Sequence, residues 1–281
     1  MPFGFNCNGS CVTSLSECDQ STLEASLKSI RVTETIRFEL GSFLFWEQHY
    51  FRMMAALRRM RFPIPISYTP EQLLTEAEKL LNFSEVASKE KAFLFYFHFV
   101  LLDNQSTSFI IRFEEVNPFN TNKTFFRYEV ELYREAFLIS GLLANQSILN
   151  APIRKMATTF AQENAFHDLL LLNEQKQLVE TLKGSLFWLE DQQICTPTLE
   201  SGAQNLVFRK VFIDFLEQQS NIAIAQKNSS PFALQAAKEV FVISLERGFD
   251  SITQYRKTVY KQERSKDLFS HFLASSFISS S

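Results

Sequence analysis

The sequence predicts two domains of unequal size, each of the α/β type, with strands and helices mixed along the chain. The chain has 281 residues, of which 46% are hydrophobic, so it can fill one large core or two medium ones. Segments with strand and helix patterns follow one another from end to end. A turn-rich stretch at residues 117–123, NPFNTNK, is the best candidate for a domain boundary. We therefore predict an N-terminal mixed α/β domain over residues 1–117, a linker over 118–123 and a C-terminal α/β domain over 124–281.

Turn residues define the first elements of the N-terminal domain. Asn8-Gly9 predicts a hairpin between two short strands. The β-branched and aromatic residues of 30–46 predict two strands joined near Gly41. Apolar residues at helical spacing predict a helix over 47–60, which must end before Pro63.

A second helix of this domain has a clear start signal. In Thr69-Pro70-Glu71, threonine is suited to the N-cap and proline to the first helical position, which predicts a helix running to about Asn82. Apolar runs then predict strands at 93–102 and 109–116, and we expect the sheet of this domain to be mixed.

The C-terminal domain is also predicted to contain both strands and helices. A strand is predicted over 125–137, followed by a helix over 152–164 with Ile153, Met156, Phe160 and Asn164 on one face. The remaining predicted elements are three strands after that helix, a helix near 205–219, a helix near 231–237, a strand at 239–244 and a polar tail, helical at first, from Lys261.

Composition excludes several classes of function. The net charge is −3 with both signs interspersed, so nucleic acid and anionic membranes are not expected partners. No apolar run reaches the roughly 18 residues that span a bilayer. The N-terminal residues lack the pattern of a secretory signal, so we expect a cytoplasmic location.

The cysteines predict no metal site. Cys7, Cys11 and Cys18 lie close together, but their spacings match no common zinc pattern. For these three we expect reduced thiols in an N-terminal strand and loop, as is usual in the cytosol.

Glycine is scarce. The chain has 7 glycines, where average usage would give roughly 20. Phosphate-binding turns often use glycine because the backbone N–H groups must approach the phosphate closely. The sequence therefore offers few places for such a turn.

Several short segments, in order along most of the chain, resemble the class IV aminotransferase family. They are ETIR at 34–37, WEQHYFR at 46–52, PIP at 63–65 followed by TPE at 69–71, KEVF at 238–241, RG at 247–248 and the strand-rich stretch 169–210. This pyridoxal-phosphate (PLP) family includes branched-chain aminotransferases, D-amino-acid aminotransferases and 4-amino-4-deoxychorismate lyases. The resemblance implies a two-domain, D-amino-acid aminotransferase-like fold of mixed α/β and α+β character. It also implies a homodimer and a cleft lined by Arg52, Ser147, Glu180 and Val207. The aromatic residues of one predicted strand, which include Phe93, Phe95, Tyr96 and Phe97, exceed what one small domain easily buries and also favour a dimer.

The resemblance assigns roles to several residues that are present here. The family arginine at Arg52 contacts the PLP phosphate, and the family glutamate at Glu180 keeps the pyridine nitrogen protonated. Val207 and Phe208 lie in the matched phosphate loop, and Ser244 occupies a phosphate-binding Thr/Asn position. From the residues alone, Arg52 could equally be a solvated helix residue and Glu180 an exposed carboxylate at a strand end.

The same resemblance places other residues where the family needs different ones. Its Schiff-base motif K-x-x-N-Y matches residues 147–151, SILNA, so Ser147 stands at the lysine position and Ala151 at the tyrosine position. Serine cannot form an imine, so no catalytic residue is retained at these two positions. Leu206 replaces the glycine of the phosphate loop, and a second glycine turn, Y-G-D-G in the family, is KSIR at 28–31. The nearest lysine, Lys155, is predicted to be a solvated helix residue.

Three functions follow from these observations. The first is a pseudoenzyme without the Schiff-base lysine, with PLP absent or bound without a covalent bond, and a dimeric cleft for a small anionic ligand or a protein partner. The alternative is an active PLP-dependent aminotransferase or 4-amino-4-deoxychorismate lyase that uses a displaced lysine. The third is a structural or regulatory dimer with no ligand.

Overall fold

The computed structural model describes residues 4–28, 30–86, 91–120, 127–146, 149–220 and 222–278. The chain divides into two compact units, Met1–Pro118 and Phe119–Ser279. Their boundary lies at the start of the predicted linker 118–123, of which residues 121–123 lie outside the described residues.

The elements of the first unit are six strands and three helices in its described part. They are β1 Phe5–Cys7, β2 Ser10–Val12, α1 Gln20–Lys28, β3 Arg31–Glu39, β4 Ser42–Phe43, α2 Trp46–Arg59, α3 Pro70–Phe83, β5 Ala92–Leu101 and β6 Thr107–Val116. The strands form one sheet in the order β2-β1-β6-β5-β3-β4. Every neighbouring pair is antiparallel, so the expectation of a mixed sheet is wrong. Short turns join most of these strands, and such turns connect antiparallel neighbours.

Local sequence signals explain where these elements begin and turn. The β1–β2 hairpin turns at Asn8 and Gly9, both with positive φ (49° and 100°), as the predicted Asn-Gly turn requires. Helix α3 begins at Pro70, and the Thr69 hydroxyl accepts a hydrogen bond from the Gln72 N–H at 3.2 Å. Both predictions are confirmed.

The core of the first unit is rich in phenylalanine. Alternate residues of β5 face one side of the sheet, and four of them are fully buried together with side chains of α2 and α3: Phe93, Phe95, Phe97 and Phe99. We expected the aromatic residues of this strand to exceed what one small domain buries and so to indicate a dimer interface. That argument is wrong, because these phenylalanines fill the unit's own core.

The structure pairs Cys7 with Cys18 as a disulfide, with Cα atoms 5.7 Å apart. The hairpin and the short helical turn at Leu15–Glu17 bring the two residues within disulfide reach. The expectation of reduced thiols is therefore wrong for Cys7 and Cys18, while Cys11 and Cys195 are free. Disulfides are rare in cytosolic proteins, so this pairing gives no support to a cytoplasmic location.

In its described part, the second unit contains two five-stranded sheets of mixed direction, in the orders β12-β11-β10-β13-β14 and β16-β15-β7-β8-β9. Its strands are β7 Glu129–Leu132, β8 Asp168–Leu172, β9 Leu178–Thr181, β10 Ser185–Glu190, β11 Gln193–Thr196, β12 Ala223–Gln226, β13 Glu239–Ser244, β14 Gly248–Ile252, β15 Gln254–Tyr255 and β16 Thr258–Val259. Its helices are α4 Ala151–Glu163, α5 Val207–Glu217, α6 Ala233–Ala236 and α7 Arg264–Ile278.

Two predictions for this unit need correction. The strand expected over 125–137 is shorter, because in the described part it covers only Glu129–Leu132. Four strands, not three, lie between residues 168 and 196, all of them described, since tight turns split the apolar run. Within the described chain, no helix is long and apolar enough to cross a membrane.

Candidate functional site

A buried carboxylate organises the first of two charged clusters. Glu34 lies on β3 and is 3% exposed. His49 and Arg52, one turn apart on α2, both reach it: His49 Nδ1 lies 2.7 Å from Glu34 Oε1, and Arg52 Nη1 donates to Oε2. Burial alone would raise the pKa of Glu34, but the charge of Arg52 and the hydrogen bonds with His49 and Arg52 outweigh it and lower the pKa. Arg52 is thus an ion-paired residue and not a freely solvated one.

This cluster also presents unsatisfied donors or acceptors. His49 Nε2 and Trp46 Nε1 are buried and have no hydrogen-bond partner among the described residues. Buried polar atoms normally have partners, so a ligand atom or a water molecule beside either one would be stabilised.

The second charged cluster lies in the second unit, around Glu180 on β9. Glu180 is only 8% exposed, so it is not a solvated carboxylate. Arg154, in the first turn of α4, donates to Glu180 Oε1 from Nε at 2.9 Å and also from Nη2. The third guanidinium nitrogen, Nη1, is buried and has no hydrogen-bond partner within the described part of the chain. The charge of Glu180 is therefore already engaged by a residue of the same chain.

The position of Arg154 is fixed by the start of α4. The Asn150 side chain, fully buried, accepts from Ile139 N at 2.9 Å and donates to Ile139 O at 3.0 Å. Toward the other end of α4, Ala157 and Ala161 are buried in one core cluster with Leu169, Leu171 and Val179 of the neighbouring strands. Because both ends are anchored, the first turn of α4 presents Arg154 to Glu180.

The matched phosphate loop lies at the start of α5. Leu206 is the N-cap residue, with φ −70° and ψ 144°, and its side chain makes no cap hydrogen bond. Any residue adopts this conformation, so the backbone at Leu206 does not require glycine. Val207 and Phe208 are buried, and the Phe208 ring packs against Phe119, Phe269 and Phe272.

Arg209 adds a second buried guanidinium near Glu180. Its Nη2 donates to the Pro197 carbonyl oxygen at 2.6 Å and contacts Gln226 Oε1 at 3.3 Å. Burial lowers the pKa of Arg209 to about 10, and the charge of Glu180 opposes this shift. Glu180 therefore lies in the field of two arginines.

The other predicted site residues do not join this cluster by any contact in the described residues. The Ser244 hydroxyl accepts from the Arg247 N–H at 3.1 Å and so stabilises the β13–β14 turn. Ala151 and Lys155 are exposed on α4. Ser147 lies outside the described residues, and its assignment to the lysine position rests on the sequence alone.

Sequence reasoning missed Arg154 entirely. It lies 26 residues before Glu180, and no local pattern in a helix start predicts which distant strand residue an arginine will meet. For metals, the described residues contain no group of three or more His, Cys, Asp or Glu side chains able to hold an ion.

Comparison with known proteins identifies the fold. A family model described as amino-transferase class IV matches residues 31–255. The structure is similar to the branched-chain amino acid aminotransferase of Thermobaculum terrenum in its PLP form, with a TM-score of 0.81, 14% identity, and 98% of this chain and 94% of that chain covered. For the branched-chain amino acid aminotransferase of Escherichia coli, the TM-score is 0.79 and the identity 14%, with 99% of this chain and 94% of that chain covered.

A putative 4-amino-4-deoxychorismate lyase from Legionella pneumophila is also similar, with a TM-score of 0.73, 16% identity, and 88% of this chain and 91% of that chain covered. At such identities the likeness shows the fold, and it confirms the predicted fold class. Comparison with curated protein sequences gives no significant match.

The resemblance implies a particular way in which family enzymes hold PLP. The matched residues of this chain do not fit it. The carboxylate expected to bond the pyridine nitrogen, on Glu180, is paired with Arg154. The resemblance places Ser147 at the lysine position, and a serine hydroxyl cannot form an imine. At the phosphate loop the departure is the side chain of Leu206, which is half-buried, and not its backbone conformation.

Proposed function

We propose, from the premise that this chain belongs to the amino-transferase class IV family, that it is a pseudoenzyme of that family. It has lost the Schiff-base lysine and binds a small anion or a protein partner instead of covalent PLP. The observation that supports this most strongly is the Arg154–Glu180 ion pair, because it engages the carboxylate that a family enzyme reserves for its cofactor.

The alternative with a displaced lysine has no support from the described residues. A Schiff-base lysine must be available as a neutral amine, which proteins achieve by desolvation or a neighbouring cation. Within the described ranges no lysine is buried, and Lys155 is exposed.

The two arginines around Glu180 support binding of a small anion. Arg154 and Arg209 together carry one more positive charge than Glu180 neutralises. The buried Nη1 of Arg154 is a donor without a partner among the described residues, and an anionic oxygen is the acceptor that suits it best.

The chemical test is borohydride reduction of the purified protein after incubation with PLP. We expect no lysine to become stoichiometrically labelled, because Ser147 cannot form the imine that borohydride traps. Peptide mass mapping measures the labelling, and a PLP-dependent aminotransferase treated in parallel is the positive control. Stoichiometric labelling of one lysine, Lys155 or another, would replace the pseudoenzyme with the active enzyme.

We also propose that the protein is a homodimer, as the family resemblance implies. The aromatic strand β5 no longer supports this, because its phenylalanines are in the core. Light scattering of the full chain at micromolar concentration should give twice the mass of one chain. A monomer at that concentration contradicts the proposal.

A further inference from the structure

We propose that Arg154 is a built-in substitute for the cofactor ring: its guanidinium neutralises the Glu180 carboxylate through Oε1 and so disfavours pyridine-type ligands at this subsite. The inference rests on the proposed function, since it concerns the same site, but it explains the site through a residue to which neither the sequence pattern nor the resemblance assigns a role.

The Arg154 guanidinium offers the Glu180 carboxylate the same kind of interaction that a protonated pyridine ring would offer. A protonated pyridine offers one N–H and one positive charge to a carboxylate. Arg154 offers Nε and Nη2 to the same oxygen of Glu180 and a charge that ordinary pH does not remove. The guanidinium therefore meets both requirements that the ring would meet.

The surroundings of Glu180 disfavour the presence of the Arg154 guanidinium and a pyridinium ring at the same time. The side chains of Glu180 and Arg154 are 10% and 18% exposed, so solvent screens their charges only partly. Arg209, buried nearby, already adds a second positive charge. A pyridinium entering beside Arg154 would add another positive charge to a carboxylate that Arg154 already neutralises, which is unfavourable at short range.

The helix start makes Arg154 a fixed group. The Asn150 side chain accepts from the Ile139 N–H and donates to the Ile139 carbonyl oxygen, and Thr158 Oγ1 donates to the Arg154 carbonyl at 2.8 Å. Lys155, the next residue, is exposed and has the same charge, so it is a matched control for effects of charge alone.

The first experiment measures binding of pyridoxine 5′-phosphate to the full chain by equilibrium dialysis. This probe lacks the aldehyde, so its binding is independent of any lysine. We expect Arg154→Gln to bind it about tenfold more tightly than the wild type, equivalent to about 1.4 kcal/mol. Lys155→Gln and the charge-retaining Arg154→Lys should stay at the wild-type level. Equal affinity of Arg154→Gln and the wild type, or an equal gain in Lys155→Gln, overturns the inference. If Arg154→Gln does not fold, Arg154→Met, which keeps the aliphatic stem, carries the same expectation.

The second experiment tests the ion pair itself by a double-mutant cycle of urea unfolding. Arg154→Gln and Glu180→Gln should each lower stability, and the double variant should lose less than the sum, with a coupling of about tenfold in the unfolding constant. Strict additivity means that the pair does not form in solution, which also overturns the inference. Failure of either experiment leaves the absence of a Schiff-base lysine untouched, whereas borohydride labelling of a wild-type lysine would instead defeat the proposed function.

Discussion

Replacing Glu34 with alanine is expected to lower the free energy of unfolding by about 3–5 kcal/mol, because it removes the charge partner of a buried cluster. Glu34 is the shared acceptor for His49 and Arg52, and its side chain is 3% exposed. Without it, α2 loses its polar attachment to β3, and the two basic side chains lose their common carboxylate. Urea unfolding at neutral pH measures the loss.

The pH dependence of this variant is a second readout of the same prediction. The pKa of Glu34 is lowered in the folded protein, so its contribution is fully present above the ordinary glutamate pKa and is lost as the pH falls through the lowered value. The stability gap between wild type and Glu34→Ala should therefore narrow in acid. Glu78→Ala, an exposed glutamate on α3, is the control and should change stability by less than about 0.5 kcal/mol. A gap that is small at neutral pH, or that widens in acid, contradicts the network.

The sequence predicted those elements whose signals are local. Thr69-Pro70 and Asn8-Gly9 determine a helix start and a turn through their own backbone preferences, and the structure has both. Apolar alternation located β5 and β6 within one or two residues. Such elements need no knowledge of distant partners.

Elements that exist only through distant pairing were missed. Strands β15 and β16 have two residues each, and β15 is a strand because it pairs with β7, more than 120 residues earlier. Likewise, the face of α4 that we predicted to be apolar includes Met156, which is 51% exposed. The helix instead buries Ala157 and Ala161, whose small side chains allow close approach to the strands beneath.

The residues of the candidate site also differ in whether the sequence could predict them. Glu180 and Arg52 were singled out because they match a family pattern. In the structure Glu180 is buried and Arg52 is ion-paired, so neither is the freely solvated residue that was the alternative interpretation. Arg154 was not found, because its contact with Glu180 depends on the rotation of α4 about its axis. That rotation is set by Asn150 at one end and by the alanine face along the helix.

Restoring a lysine alone is expected to leave the protein unable to trap PLP. In Ser147→Lys the amine is present, but Arg154 still holds the Glu180 carboxylate, so the ring gains no partner for its nitrogen. Adding Arg154→Gln should produce a borohydride-trapped label on residue 147. Ala151→Tyr and Leu206→Gly should then increase the labelled fraction further. Leu206→Gly acts only by removing a side chain, because φ is −70° at this position.

The controls separate charge from imine chemistry. Ser147→Arg supplies a positive charge that cannot form an imine, so it should show no label in either background. Peptide mass mapping after reduction gives the labelled fraction at residue 147 and at the exposed Lys155 in the same sample. Stoichiometric label in Ser147→Lys with Arg154 intact would show that the arginine does not close the subsite. Label that appears only after Arg154→Gln would instead identify the ion pair as a barrier, additional to the proposed loss of the lysine, between this chain and the chemistry of its family.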